Sequence, residues 1–125
     1  METIGPLQLR VMHYLWSQGP ATVHAVQEHI NSISSERPLA YTTILTVMRN
    51  LVRRHFLSQT PQGRSHLFTP LIDERAYKFG MLRHIRQDLF GGDIAIMMNY
   101  LCSDEEIPTA IREQLLVVTK KGTHA

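Results

Sequence analysis

Thr42, Thr46, Arg49 and Arg53 follow one another at intervals of four, three and four residues, which sets two hydroxyls and two guanidinium groups in one stripe of an α-helix. Such groups donate hydrogen bonds to phosphate oxygens and base edges, and arginine is the commonest specific reader of guanine. Tyr41 adds ring surface suited to thymine methyls and sugars. On the other side of the same stretch, Ile44, Val47, Met48, Leu51 and Val52 recur at helical spacing and need a core. The segment 40–54 therefore reads as a DNA recognition helix. A plain solvated helix face has the same spacing, so the surrounding charge must decide between them.

The net charge of +2 is small, but it is unevenly spread. Residues 1–36 carry Arg10 against Glu2, Glu28 and Glu36, and residues 73–125 are also slightly acidic. From Arg37 to Ile72 the chain holds Arg37, Arg49, Arg53, Arg54 and Arg64 with no Asp or Glu. Clustered like charges are unfavourable unless an anion neutralises them, so this window favours a nucleic-acid partner.

The elements that must hold the stripe can be followed in order. Pro6 suits a first helical turn, and Leu7, Val11, Met12, Leu15 and Trp16 keep helical spacing until Gly19-Pro20, with Trp16 expected as a core anchor. Thr22 can cap a second helix whose stripe is Val23, Val26, Ile30 and Ile33, ending near Ser34. The turn from Ser34 to Pro38 leads into the recognition helix. Phe56 to Thr60 and Ser65 to Thr69 read as two strands joined by Pro61-Gln62-Gly63-Arg64, a hairpin with Arg64 near its tip. Three helices and a basic-tipped hairpin make a winged helix-turn-helix.

The fold class expected is mainly α: a winged helix-turn-helix DNA-binding domain over residues 1–71 and a C-terminal helical dimerisation region over 72–125. In the latter, Asp73 is expected to cap a helix to about Asp88 with the stripe Ala76, Phe79, Leu82, Ile85 and Leu89. Phe90-Gly91-Gly92 breaks it, and Asp93 caps a helix that is apolar on nearly every side from Ile94 to Leu101. So short a tail cannot cover such a helix, so a second copy of the chain is the expected cover. Phe79, Leu82, Leu89, Ile94, Met97, Met98, Leu101 and Leu115 are the expected pairing residues. Ser103 with Glu106 matches a capping box, although Pro108 requires a kink or a restart. A last helix over Ala110 to Val118 and a frayed end from Lys120 are expected.

Enzymatic patterns do not appear: the chain has no GxxxxGK[ST], HExxH, CxxC or GxSxG, and an enzyme is not expected. The seven histidines are scattered, so no metal site is expected, and no cofactor. Cys102 is the single cysteine and permits no internal disulfide. With no signal-peptide pattern and no apolar run of membrane-spanning length, a cytoplasmic protein is expected.

Four segments, LQLRVMHYLW, AYTTILTVMRNL, QGRSHLFTPL, and LFGG with Asn99 behind it, resemble the penicillinase repressor (BlaI/MecI) family of bacterial transcription factors. The likeness runs from about Leu7 to Leu116. It implies a homodimeric repressor on palindromic operators of double-stranded DNA, with two-fold protein symmetry matched by two-fold operator symmetry. Thr43 and Thr46 match threonines of that family's recognition helix, and Arg64 matches its wing arginine. The resemblance also implies relief of repression by a membrane sensor and protease system, with the cleavage position at Asn99-Tyr100, where Tyr replaces the family's Phe. Asn50 stands where many members have a second arginine, and His66 replaces a wing tyrosine. The copper-responsive branch carries paired cysteines at its end, which this chain lacks.

Two other function classes fit the same elements. A winged helix retained for docking an acidic protein would capture that partner and no DNA, and a small-molecule-responsive regulator would show a thermal shift with its ligand.

Overall fold

The computed structural model describes residues 3–33 and 37–122, with side chains described as far as residue 117. The element order is α1 (Pro6–Gln18), α2 (Val23–Ile33), α3 (Tyr41–Arg53), β1 (Leu57–Gln62), β2 (Ser65–Pro70), α4 (Glu74–Phe90), α5 (Ile94–Ser103) and α6 (Thr109–Gly122). These form two compact units, one ending at Lys78 and the other beginning at Phe79. The division falls inside α4, not at the 71/72 position expected from the sequence. Tyr77, in the first turns of α4, is buried and stacks near Trp16 and Phe56, with ring centroids 5.7 and 6.0 Å away.

In the first unit each helix contributes an apolar stripe. Val11, Met12 and Leu15 from α1, Val26 and Ile30 from α2, and Ile44, Met48 and Leu51 from α3 are almost wholly shielded, with Leu57 and Phe68 from the hairpin. Burying a side chain of this size stabilises the fold by about 1.5 to 3 kcal/mol. Two residues depart from expectation. Ile33 ends α2 and is 66% exposed, because the last turn of that helix runs past the core. Trp16 is half-buried, and its indole Nε1 donates to the Ile72 carbonyl at 2.9 Å, so it ties the chain after β2 instead of anchoring the centre.

Thr22 caps α2, its Oγ1 accepting from Ala25 N–H at 3.3 Å. The end expected near Ser34 and the turn from Ser34 to Glu36 lie outside the described residues. Beyond that turn, Asn31 clamps the approach to α3: its Oδ1 accepts from Leu39 N–H at 2.9 Å and its Nδ2 donates to Leu39 O at 3.1 Å. Gln27 Nε2 donates to the same carbonyl at 3.1 Å. These bonds fix α3 against α2.

α3 ends in a Schellman motif, with Phe56 N–H on Leu51 O at 2.9 Å and His55 N–H on Val52 O at 3.0 Å. His55 occupies the left-handed position with φ 64°, where glycine is usual. β1 then pairs antiparallel with β2, in register from Leu57 opposite Pro70 to Gln62 opposite Ser65. Both strands reach further than the sequence suggests, and the connection is only Gly63-Arg64, with Gly63 at φ 60°. Such a two-residue turn matches strand twist when its first residue takes positive φ.

Pro61 thus lies inside a strand. Phe68 spends both its N–H and its C=O on Ala21, at 2.9 and 3.1 Å, so Gln59 and Phe68 face each other without mutual bonds. The antiparallel alternation puts Pro61 and His66 in the same class of pair, where Pro61 owes β2 no N–H.

Asp73, in the first unit, caps α4, and Asp93, in the second, caps α5. Asp73 Oδ2 accepts from Ala76 N–H at 3.0 Å, and Asp93 Oδ1 from Ala95 and Ile96 N–H at 2.9 and 3.3 Å. α4 runs to Phe90, slightly past the expected end, until Gly91 and Gly92 turn the chain. Ala76 is exposed, so the buried residue at the start of α4 is Tyr77, off the predicted stripe.

The capping box expected at Ser103 does not form. Ser103 closes α5 with its hydroxyl on Asn99 O at 2.8 Å, and Asp104 Oδ1 accepts from Glu106 N–H at 3.0 Å in the following turn. A helix begun at Ser103 would drive the Pro108 ring into the Asp104 carbonyl. The next helix restarts instead on Pro108 O, which accepts from Ile111 and Arg112 N–H, both at 3.0 Å. α6 continues through Lys120 and Lys121 to Gly122, so it is longer than expected; the rest of the predicted frayed end lies outside the described residues. Among the described residues no helix is long and apolar enough to cross a membrane.

Candidate nucleic-acid interface

The stripe on α3 is open to solvent along its length: Thr42, Thr46, Arg49 and Arg53 are all exposed while Ile44, Met48 and Leu51 behind them are wholly buried. One helix thus supplies both a core face and a free donor face. Thr46 differs from its neighbours, because its Oγ1 donates to Thr42 O at 2.8 Å, which leaves its methyl and the oxygen lone pairs for a partner. Thr43 lies on a flank of the first turn and is exposed, and Tyr41 sits at the opposite flank, facing the wing.

Arg49 and Arg53, with Thr46, Val52 and Gln59, border an open groove of about 360 Å³ between α3 and β1. Gln59 had no signal in the sequence. It becomes a site candidate only because β1 runs back along α3, and its amide offers both a donor and an acceptor to a base edge. Arg64, in the two-residue turn, is exposed at the far end of the same wing.

Arg54 is the member of the acid-free window that serves its own chain. Its Nη2 donates to Thr3 O at 2.6 Å and its Nη1 to Gln8 Oε1 at 3.3 Å, and the guanidinium lies 5.4 Å from the Phe56 ring centroid. Arg37, Arg49, Arg53 and Arg64 are exposed. The cationic surface is therefore narrower than a count of arginines suggests.

The histidines are dispersed: His24 is 3.4 Å from Glu28, His84 is 3.1 Å from Asp88, and His29 stacks near Tyr14 at 4.6 Å. Among the described residues no group of three His, Cys, Asp or Glu side chains converges as metal ligands do.

In the second unit, the expected pairing residues present an apolar surface. Leu89 is 72% exposed; Phe79, Leu82, Ile94 and Leu101 are also exposed, and Met97, Met98 and Leu115 are half-buried. No residue of α5 is buried. Asn99 and Tyr100 lie within α5, both exposed, with the Tyr100 ring 5.4 Å from that of Phe90.

The sequence profile of the penicillinase repressor family matches residues 4–120. The transcriptional regulator BlaI of Mycobacterium tuberculosis is 38% identical over 69 residues, which cover 54% of this chain and 48% of that protein. The chain thus spans about half the length of this curated relative. Among solved structures, the DNA-binding domain of the repressor BlaI superposes with a TM-score of 0.51 at 26% identity, over 62% of this chain and 94% of that one. The monomeric form of Bacillus licheniformis BlaI in complex with the blaP half-operator does so with a TM-score of 0.50 at 26% identity, over 61% and 89% of the two chains.

Proposed function

The chain belongs to the penicillinase repressor family, and from that premise we propose that it is a transcriptional repressor that binds palindromic DNA operators as a homodimer. The observation that carries this reading is the α3 stripe: the exposed side chains of Thr42, Thr46, Arg49 and Arg53, held on a helix whose other face is locked into the core. Arg64 on the wing extends the same cationic surface towards the DNA backbone. The similarity to a BlaI chain solved with a half-operator supports it, since that protein holds DNA on the same fold.

Pairing rests on the second unit. The exposed apolar residues of α4, α5 and α6 supply what a two-fold interface needs, and a dimer joins two half-site contacts into one binding event. Relief of repression by a membrane sensor and protease system acts, in this reading, at Asn99-Tyr100. A cut there severs α5 and separates α6 from the rest, which weakens pairing and with it operator affinity.

The test is selection of bound fragments from the source genome by the purified protein, followed by salt titration on the best fragment. A palindromic site whose affinity falls steeply with salt supports the reading. A folded protein that retains no DNA and instead captures an acidic protein overturns it.

A further inference from the structure

A small crevice of about 60 Å³ opens where the start of α2, the start of α3 and the wing turn meet. Its polar lining comes from Thr22 and His24 at the start of α2, Tyr41 from α3, and Arg64, Ser65 and His66 from the wing. Buried Phe68 and Val23 form its apolar side, and no carboxylate lines it. Arg64 carries a fixed positive charge, Tyr41 and Ser65 can donate hydroxyls, and each imidazole donates from both nitrogens once protonated. The chemistry that fits is a phosphate oxyanion.

Its place on the fold identifies which phosphate. A recognition helix in the major groove brings the sugar-phosphate backbone against the flanks of that helix and against the wing. The crevice is on such a flank, beside Tyr41 and Leu45 and next to the turn that carries Arg64. We propose that it receives one phosphodiester of the operator backbone, held between α2 and the wing with His24 and His66 as ligands beside Arg64. The proposal rests on the DNA-binding reading above.

Imidazole N–H groups can donate to phosphate oxygens alongside the guanidinium, so both rings add to affinity for DNA. The charged and titratable groups concerned are His24 and Glu28 from α2, Tyr41 from α3, and Arg64 and His66 from the wing. Glu28 competes with the phosphate, lying 3.4 Å from His24 Nε2, but both side chains are more than two-thirds exposed and free to separate.

The test uses the full chain and its best operator fragment. Anisotropy titrations at fixed ionic strength and pH are expected to show a His24→Gln, His66→Gln double variant binding roughly tenfold more weakly than the wild type. The variant's salt slope is expected to be shallower by about one. A scan of single methylphosphonates, each removing one backbone charge, should find a position that weakens the wild type more than the double variant, which keeps Arg64. Undiminished affinity in the double variant, or equal losses in both proteins at every position, overturns the crevice proposal and leaves the DNA-binding reading intact. A wild type that binds no DNA overturns both. Inorganic phosphate provides a separate arm: if the ring resonances of His24 and His66 move with inorganic phosphate and not with operator DNA, the crevice is a free-anion site and the proposal falls.

Discussion

The two units of this chain treat their apolar residues in opposite ways. The unit ending at Lys78 encloses Met12, Ile30, Met48, Leu51 and Phe68 within its own helices and hairpin, and turns hydroxyls and guanidinium groups outward. The unit from Phe79 onwards keeps helices as regular as those of the first, yet leaves Leu89, Ile94 and Leu101 in solvent. Regular secondary structure is therefore no guide to whether a segment is complete by itself. What distinguishes the two is whether the apolar stripes meet one another inside the same chain.

The contrast can be broken most decisively at the core of the first unit. Phe68→Ala is expected to cost about 3 to 5 kcal/mol in chemical denaturation, since Phe68 is fully enclosed and its cavity cannot collapse around the sheet. A loss below about 1 kcal/mol would mean that the first unit is not held by its own core.

Next in size is the second unit. Ile94→Glu combined with Leu101→Glu is expected to weaken self-association at least about a hundredfold, roughly 3 kcal/mol, by sedimentation equilibrium. The unfolding of the first unit should stay unchanged. Undiminished association would show that these residues do not form the pairing surface.

Arg49→Ala should leave the fold intact and cost about 1 to 3 kcal/mol at the selected operator, with relaxed sequence preference. Arg64→Ala should weaken all DNA sequences alike and reduce the salt slope by about one. Equal behaviour of the two variants would contradict the separation between helix and wing.

The smallest effect concerns the end of α3. His55→Gly is expected to raise stability by roughly 0.5 kcal/mol in thermal melts, because glycine occupies the left-handed position without a Cβ penalty. A loss of stability would mean that the His55 side chain makes compensating contacts.

The helices and the α3 stripe were legible in the sequence because the information is periodic and local. Ile44, Met48 and Leu51 announce a buried face, and the threonines and arginines opposite announce an exposed one. What escaped depends on tertiary placement. The fate of Arg54 turns on Gln8 and Thr3, far away in the chain. Gln59 acquires interest only when β1 folds back along α3. After Ser103 the sequence left a kink or a restart open at Pro108, and the restart is what forms. The left-handed turn at His55 carried no glycine to mark it.

The proline within the wing has a consequence for the protein in a crowded solution. Outward-facing amides along a border strand are a template on which foreign chains can add, the first step of sheet-mediated clumping. Among the described residues β1 has β2 on one side and no strand on the other. At Pro61, where the alternation turns the backbone outward, the donor is missing. The proposed DNA-binding role needs the wing uncovered, and this wing omits a bond that a stray strand would need in order to stick.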